Sequence, residues 1–496
     1  MKDLALGIDI GTTSVKVILI SQEGRVLYST SKSHDLLSSQ PGFAEEDPNI
    51  WWNSVKQILT ELCKENLAER ISSIGVTGMV PTLILVDENL NAIRNSIQQN
   101  DARTTSELAE LKKVIDEKAY FSQTANTLNQ QVIFPKYLWL KKHEPQNVAR
   151  TRWIMGSYDY ISSKLTGNSH VESNWALESG MWLVKERQWH KDILKAAEID
   201  VSILPPVFEP AQVVGKTSDA IKSETGFPSG VPVVAGSADH IASSLAVGLK
   251  NDGDLLLKFG GAGDIMYVSD TLKVDRRLFL DYHDIPSKYV LNGCMASSGS
   301  LVKWYMRLLK ETDYDELSES AVKSGVGSQG IIMLPYFLGE KTPIFDTKAR
   351  GLIFGLDLHH NRGDIFRAIM ECVVYGFKHH IDVLNESGLK IKQVFVSDGG
   401  AKNPVWRKIT ADIIGHDVKY ITDNPGSSLG AAFIAGISSG IFKSWDEIDK
   451  FLSKSEITHA DELNHKIYDR YYQLYRKLYI TLKPLYEELY NIREES

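Results

Sequence analysis

The chain holds only three cysteines in 496 residues, Cys63, Cys294 and Cys372. They are too few and too far apart for a disulfide framework or a four-cysteine zinc site. No apolar run reaches the length of a membrane span, and no charged segment precedes a cleavable apolar core at the N-terminus. A cytoplasmic protein is the simplest expectation. Positive charge is in deficit, with 55 Lys and Arg against 63 Asp and Glu and a net charge of −8, which argues against a general nucleic-acid or membrane-surface binder. Two common nucleotide signatures are missing as well. There is no P-loop Gly-Lys-Ser/Thr and no Gly-x-Gly-x-x-Gly leading into a helix, so P-loop and Rossmann readings recede. An enzyme for anionic nucleotides would then draw its positive field from backbone N–H groups, a metal and a few Lys or Arg. The length exceeds one core, and two domains of roughly 250 residues are the natural expectation.

Two glycine-bearing turns, one near the start of each half, carry the most information. In the first, Asp9, Gly11, Thr12, Thr13 and Ser14 interrupt apolar, β-branched runs that read as strands. In the second, Gly260, Gly261, Ala262 and Gly263 separate Leu255–Phe259 from Ile265 and Met266. Turns with little side-chain bulk let backbone N–H groups approach an anion, and two of them facing each other would grip a polyphosphate such as ATP from both sides. Either turn alone also fits an ordinary hairpin loop. Asp9 tips the reading, because a carboxylate at the end of an apolar strand beside a phosphate-sized turn suits a hydrated Mg²⁺ that bridges phosphate oxygens.

Residues 1–30 read as an antiparallel meander, residues 48–67 as a helix led by Asp47 and Pro48, and residues 71–76 as a buried strand. The stretch 104–165 is mostly helical and is stopped by Gly167 and Asn168. A buried strand over residues 231–235 runs into Gly236, Ser237, Ala238 and Asp239, followed by an apolar helix. Asp239 there fits either a catalytic base or a helix cap. Residues 250–254 form a short polar connector. Strands flanked by helices on both sides of it predict an α/β fold. The tail carries Tyr471, Tyr472, Tyr475, Tyr479, Tyr486 and Tyr490 at helical intervals. It reads first as a helix packed on its own domain and leaves a homodimer contact open, with Pro484 expected to bend or break it. His359, His360, His379 and His380 lack a ligand framework and are not read as a metal site, and Trp51 and Trp304 read as core aromatics.

The turn from Asp9 to Thr13 resembles the phosphate motif of the actin and sugar-kinase superfamily, and three further segments resemble the FGGY carbohydrate kinases. These are Pro41 to Pro48 with Trp51; Gly339 to Pro343 with Asp346, Ala349 to Gly351, Gly355, Leu356, His360, Arg362, Arg367, Ala368 and Glu371; and Asp398 to Asn403 with Trp406, Ala411, Asp412 and Leu429 to Ala432. They span residues 4–436 in the family's order and spacing. The resemblance implies two ribonuclease-H-like (actin-like ATPase) domains around a central cleft, residues 1–248 and residues 254–496 with a helical tail.

It further implies an ATP-dependent kinase of a small sugar or polyol. Asp239 matches the family's catalytic aspartate and Asp9 its Mg²⁺-organising one. Gly11, Thr12, Thr13 and Lys16 with Gly260, Gly261 and Gly263 would hold phosphates, and Gly399, Gly400, Ala401 and Asn403 the adenosine. The second turn departs from the family's usual Gly-Thr-Ser-Gly, since both hydroxyls are gone. Asn100, Asp101 and Arg103 match an Asp-x-Arg segment expected either to bind substrate hydroxyls or to pair with each other. Met79 and Val80 replace the Met-His of xylulokinases and the Arg-Glu of glycerol kinases, and His240 replaces an amide or aromatic residue. Gln130, Gln131 and Trp175 are further candidates near the sugar. A ketopentose such as D-xylulose leads among the substrates, with other ketoses, tetritols, pentitols, glycerol and autoinducer-2 open. A sugar-responsive binding protein without catalysis and an actin-like filament are the non-kinase alternatives.

Overall fold

The computed structural model describes residues 2–35, 37–38, 40–452 and 454–495. Met1 and Ser496, the outer limits of the two expected domains, lie outside them. Fourteen strands matter here: β1 (Leu4–Ile10), β2 (Ser14–Ser21), β3 (Val26–Ser33), β4 (Ile71–Gly78), β5 (Val213–Lys216), β6 (Pro232–Val234), β7 (Ser237–Ala238), β8 (Asp254–Phe259), β9 (Gly263–Ser269), β10 (Phe279–Tyr282), β11 (Tyr289–Met295), β12 (Gln393–Ser397), β13 (Val418–Ile421) and β14 (Ser455–Thr458). Nine of the helices matter as well: α1 (Pro48–Lys64), α2 (Ser157–Thr166), α3 (Ser173–Glu178), α4 (Asp239–Ala246), α5 (Gly299–Leu309), α6 (Arg362–Glu386), α7 (Pro404–Ile414), α8 (Ser427–Ser439) and α9 (Glu462–Glu495).

The chain divides into two compact units. The first comprises Met1–Lys250, Leu280–Tyr289 and Asn424–Ser453. Its sheet runs β5-β6-β4-β1-β2-β3, with β7 also pairing β4. The meander β1-β2-β3 is antiparallel, and β1, β6 and β7 lie parallel to β4. Every residue of β1 is buried, as its nearly unbroken apolar run requires of a strand covered on both faces. One cover is α8, rich in Gly430, Ala431, Ala432 and Ala435, and it lies almost in contact with the sheet backbone. A Cβ at Gly7 would sit 2.1 Å from the Ser428 carbonyl oxygen, and one at Gly75 2.1 Å from that of Ala431. This packing draws Asn424–Ser453 into the first unit, so the expected contiguous run over 254–496 differs from the compact units in that segment and in Leu280–Tyr289.

The second unit comprises Asn251–Phe279, Val290–Asp423 and Lys454–Ser496. Its strands follow the order β11-β9-β8-β12-β13-β14. The long helix α6 is buried over most of its length, and its Glu371 accepts hydrogen bonds from Arg367, Ser328 and Tyr468. Tyr468, Tyr472, Tyr475, Tyr479 and Tyr486 of α9 are buried, with the Tyr475 and Tyr336 hydroxyls 3.0 Å apart. The tyrosine stripe packs on its own unit, as its spacing led us to expect. Of the bend or break expected at Pro484, the break does not occur: α9 continues through it, because the tertiary packing of the tyrosines outweighs the loss of one backbone hydrogen bond. Among the described residues no helix is long and apolar enough to cross a membrane.

Candidate active site

Register brings the two key aspartates of the first unit to one end of its sheet. Asp9 on β1 pairs with Thr77 on β4, and Thr77 pairs on its other side with Ser237 on β7. Three adjacent strands place the Asp9 and Ser237 backbones roughly 10 Å apart, and Asp239 follows two residues later. This is the carboxyl end of the parallel strands, where α/β sheets bind ligands. The bend that delivers Asp239 depends on Gly236, which has φ +90° and whose added Cβ would lie 1.8 Å from the Val76 carbonyl oxygen. A side chain is therefore excluded on both conformational and steric grounds. Thr77 secures the bend by donating its hydroxyl to the Ser237 carbonyl at 2.7 Å.

Asp9 is 5% exposed, and its Oδ2 accepts a 2.7 Å hydrogen bond from the Ser427 hydroxyl at the start of α8. Thr12 and Thr13 in the adjacent turn are exposed. A carboxylate seated on a hydroxyl beside an open hydroxyl-bearing turn fits a hydrated Mg²⁺. Lys16 stands opposite Asp9 in the β1–β2 register and is exposed.

Asp239 opens α4 with a side chain 39% exposed. Around it gathers a cluster that sequence reading missed apart from His240. His240 Nδ1 lies 3.5 Å from Asp239 Oδ1, while Nε2 is 3.1 Å from Asp281 Oδ2 and 3.9 Å from Glu178 Oε1. Burial works against the charged imidazole, but the neighbouring Asp239 carboxylate, the hydrogen bond to Asp281 and the charges of Asp281 and Glu178 hold its pKa well above the usual histidine value. Burial, reinforced by Asp281, pushes the Glu178 carboxyl well upward. Asn174, one turn before Glu178 on α3, is fully buried; its Oδ1 accepts from the Tyr282 N–H at 2.8 Å and its amide donates to the Tyr282 carbonyl at 2.9 Å. That clamp holds Asp281 against the cluster. Asp284 is also buried, and desolvation pushes its pKa up to about 8.

The other expected sugar contacts divide. Met79 and Val80 are buried; the Met79 N–H donates to Ile10 and its carbonyl accepts from Ser157 Oγ. Trp175 is fully buried and donates its indole N–H to the Thr82 carbonyl, bracing that loop. Gln130 reaches Thr105. Asn100 is exposed. Asp101 and Arg103 form a buried pair: both Asp101 oxygens accept from Arg103 and one also from the Ala44 N–H at 2.7 Å. Arg103 continues to Glu45 and stacks over Phe43, 3.9 Å from the ring centroid. The Pro41–Trp51 and Asp101–Arg103 segments are therefore each other's partners. Within the former, Glu46 accepts from the Trp51 indole and Asp47 caps α1.

In the second unit, the Ser298 and Gly299 N–H groups at the start of α5 donate to the carbonyls of Gly261 and Gly260. This fixes the second turn without either missing hydroxyl. A Cβ at Gly261 or Gly399 would meet nothing within 4 Å, so both backbones border open space as a nucleotide requires. Gly263 packs against Phe377 and Gly400 against Phe259 and Trp406, while Ala401 is buried. Asn403 caps α7 and gives its amide to Tyr314 and Ser318, so its side chain is committed to structure. His360 binds the Asp357 N–H and the Gln329 carbonyl, a structural role.

Comparison with known proteins matches this arrangement. The chain matches the FGGY family of carbohydrate kinases, N-terminal domain, over residues 4–246 and the C-terminal domain over residues 262–439. It is 28% identical to a xylulose kinase of Staphylococcus epidermidis, with 99% of each chain covered, and 29% identical to one of Bacillus subtilis at the same coverage. The crystal structure of xylulose kinase from Rhodospirillum rubrum superposes with a TM-score of 0.93 at 40% identity, covering 98% of this chain and all of that one. With both family domains matched in order and the fold reproduced along nearly its whole length, the chain belongs to the FGGY family of carbohydrate kinases.

Proposed function

We propose that the chain transfers the γ-phosphoryl group of ATP to a terminal hydroxyl of a ketopentose, with D-xylulose as the leading substrate, and that Asp239 is the base. The observation that carries the reading is the half-exposed Asp239 carboxylate at the same sheet end as Asp9. The xylulose kinases among the relatives support the sugar. An acceptor bearing its own carboxylate would meet the like charge of Asp239, which favours a neutral ketose or polyol. In the reaction the acceptor O–H gives its proton to Asp239, the freed oxygen bonds to the γ-phosphorus, and the bond from that phosphorus to the bridging oxygen breaks to release ADP.

Asp9 would hold Mg²⁺, with Ser427 orienting its carboxylate. Bound there, the ion neutralises phosphate charge. The Gly11–Thr13 turn of the first unit would bind phosphate, and the open Gly261 and Gly399 backbones of the second would take phosphate and purine. A cytoplasmic setting, where ATP is supplied, is part of the proposal. So is a homodimer through α9, supported by the exposed Leu463, Ile467, Leu474, Leu485 and Leu489 and tested by analytical ultracentrifugation.

The test of the reaction is a coupled ADP-release assay with Mg-ATP across ketoses, aldoses, sugar acids and polyols. Turnover is expected to be greatest with D-xylulose and weak with gluconate. Preferred turnover of a sugar acid would overturn the substrate reading.

A further inference from the structure

A single histidine stands between the Asp239 base and two carboxylates from elements distant in sequence. Asp239 and His240 are consecutive on α4, Glu178 ends α3 and Asp281 lies on β10. The imidazole has only two ring nitrogens, and both are engaged with acids: Nε2 with Asp281 at 3.1 Å and Glu178 at 3.9 Å, Nδ1 with Asp239 Oδ1 at 3.5 Å. Asp281 is the firm anchor, since its side chain is 3% exposed and Asn174 clamps the backbone of the next residue.

We propose that His240 is a positioning residue for Asp239: anchored on Asp281 and Glu178 through Nε2, it turns Nδ1 to Oδ1 of Asp239 and leaves Oδ2 to the acceptor hydroxyl. The inference rests on the reading of Asp239 as the base. A distance of 3.5 Å exceeds the best hydrogen-bond range, so the contact acts through charge in the free protein and tightens when the acceptor is bound. The acids facing the ring are Asp239, Glu178 and Asp281, with Asp284 and Glu172 behind them. Together they favour the charged imidazole, in accord with its upward shift. The charge beside Asp239 draws Oδ1 toward Nδ1 and so fixes the orientation of the carboxylate. The amide or aromatic residue usual in the family at this place would supply no such charge.

The test is the split between kcat and KM in His240→Asn, with sugar affinity measured separately by titration. The expected result is kcat lowered roughly tenfold with KM and sugar affinity changed much less. Asp281→Asn should lower kcat by a smaller factor, again with sugar affinity kept. His240→Gln and Asp281→Asn carry the test if His240→Asn fails to fold, which a thermal melt reports. Unchanged kcat in folded variants, while Asp239→Asn is inactive, would overturn the positioning role and leave the base intact. Full turnover in Asp239→Asn would instead remove the base, and this inference with it.

Discussion

Asn174→Ala should destabilise the first unit and loosen the cluster beside Asp239 in one step. The Asn174 side chain makes two fully buried hydrogen bonds to the Tyr282 backbone, accepting at 2.8 Å and donating at 2.9 Å. Truncation strands both backbone groups, at roughly 1–3 kcal/mol each. Water entering the vacated volume brings the sum toward the low end, about 2–4 kcal/mol. Asn174→Asp gives an internal comparison, since it keeps the acceptor, loses the donor and adds charge near Glu172 and Glu178. Denaturant unfolding followed by tryptophan fluorescence measures the loss as a lower midpoint at unchanged slope. The alanine variant should also lose kcat, because the segment carrying Asp281 is no longer held. A change below about 0.5 kcal/mol, in the range of ordinary surface substitutions, would refute the reasoning that this side chain clamps the segment.

Glu46 offers a pH test. Burial pushes its pKa from 4.5 up to about 7, against the opposing hydrogen bond from Trp51. The folded state therefore holds an extra proton between those values, so the stabilising contribution is present below pH 4.5 and is lost as pH rises to 7, by on the order of 3 kcal/mol. Glu46→Gln keeps an acceptor for the Trp51 indole and should remove that loss, which thermal melts at pH 5 and pH 8 would show as a smaller difference than in the wild type. Arg103→Lys should cost about 1–3 kcal/mol, because a lysine cannot reproduce the paired contacts to Asp101 or the stacking on Phe43. Its KM for sugar should stay within about twofold, and a large rise with unchanged stability would return Arg103 to the sugar site.

Local signals carried well from sequence to structure. The apolar run ending in Asp9 reads as a strand, and it is one; the Pro-led start at Asp47 and Pro48 is a capped helix; and the tyrosine spacing of the tail maps a buried stripe. Family spacing was needed to choose between base and cap for Asp239, since local sequence fits both. What stayed hidden depends on pairing across distance. Nothing in the neighbourhood of Glu178 or Asp281 indicates that His240 will draw them together, because the cluster forms from α3, α4 and β10. The return of Asn424–Ser453 to the first unit is likewise a packing result, governed by Gly7, Gly75 and a small-residue helix face. Asp101 and Arg103 suit sugar recognition by residue type, and only the buried geometry shows that they hold Pro41–Glu46.

The central claim is that Asp239 takes the proton of the acceptor hydroxyl, and turnover of D-xylulose by Asp239→Asn with Mg-ATP tests it most directly. The account expects a fall of ~10²–10⁴-fold or more in kcat, with folding and sugar binding retained. Turnover within a few-fold of wild type in that variant would contradict it.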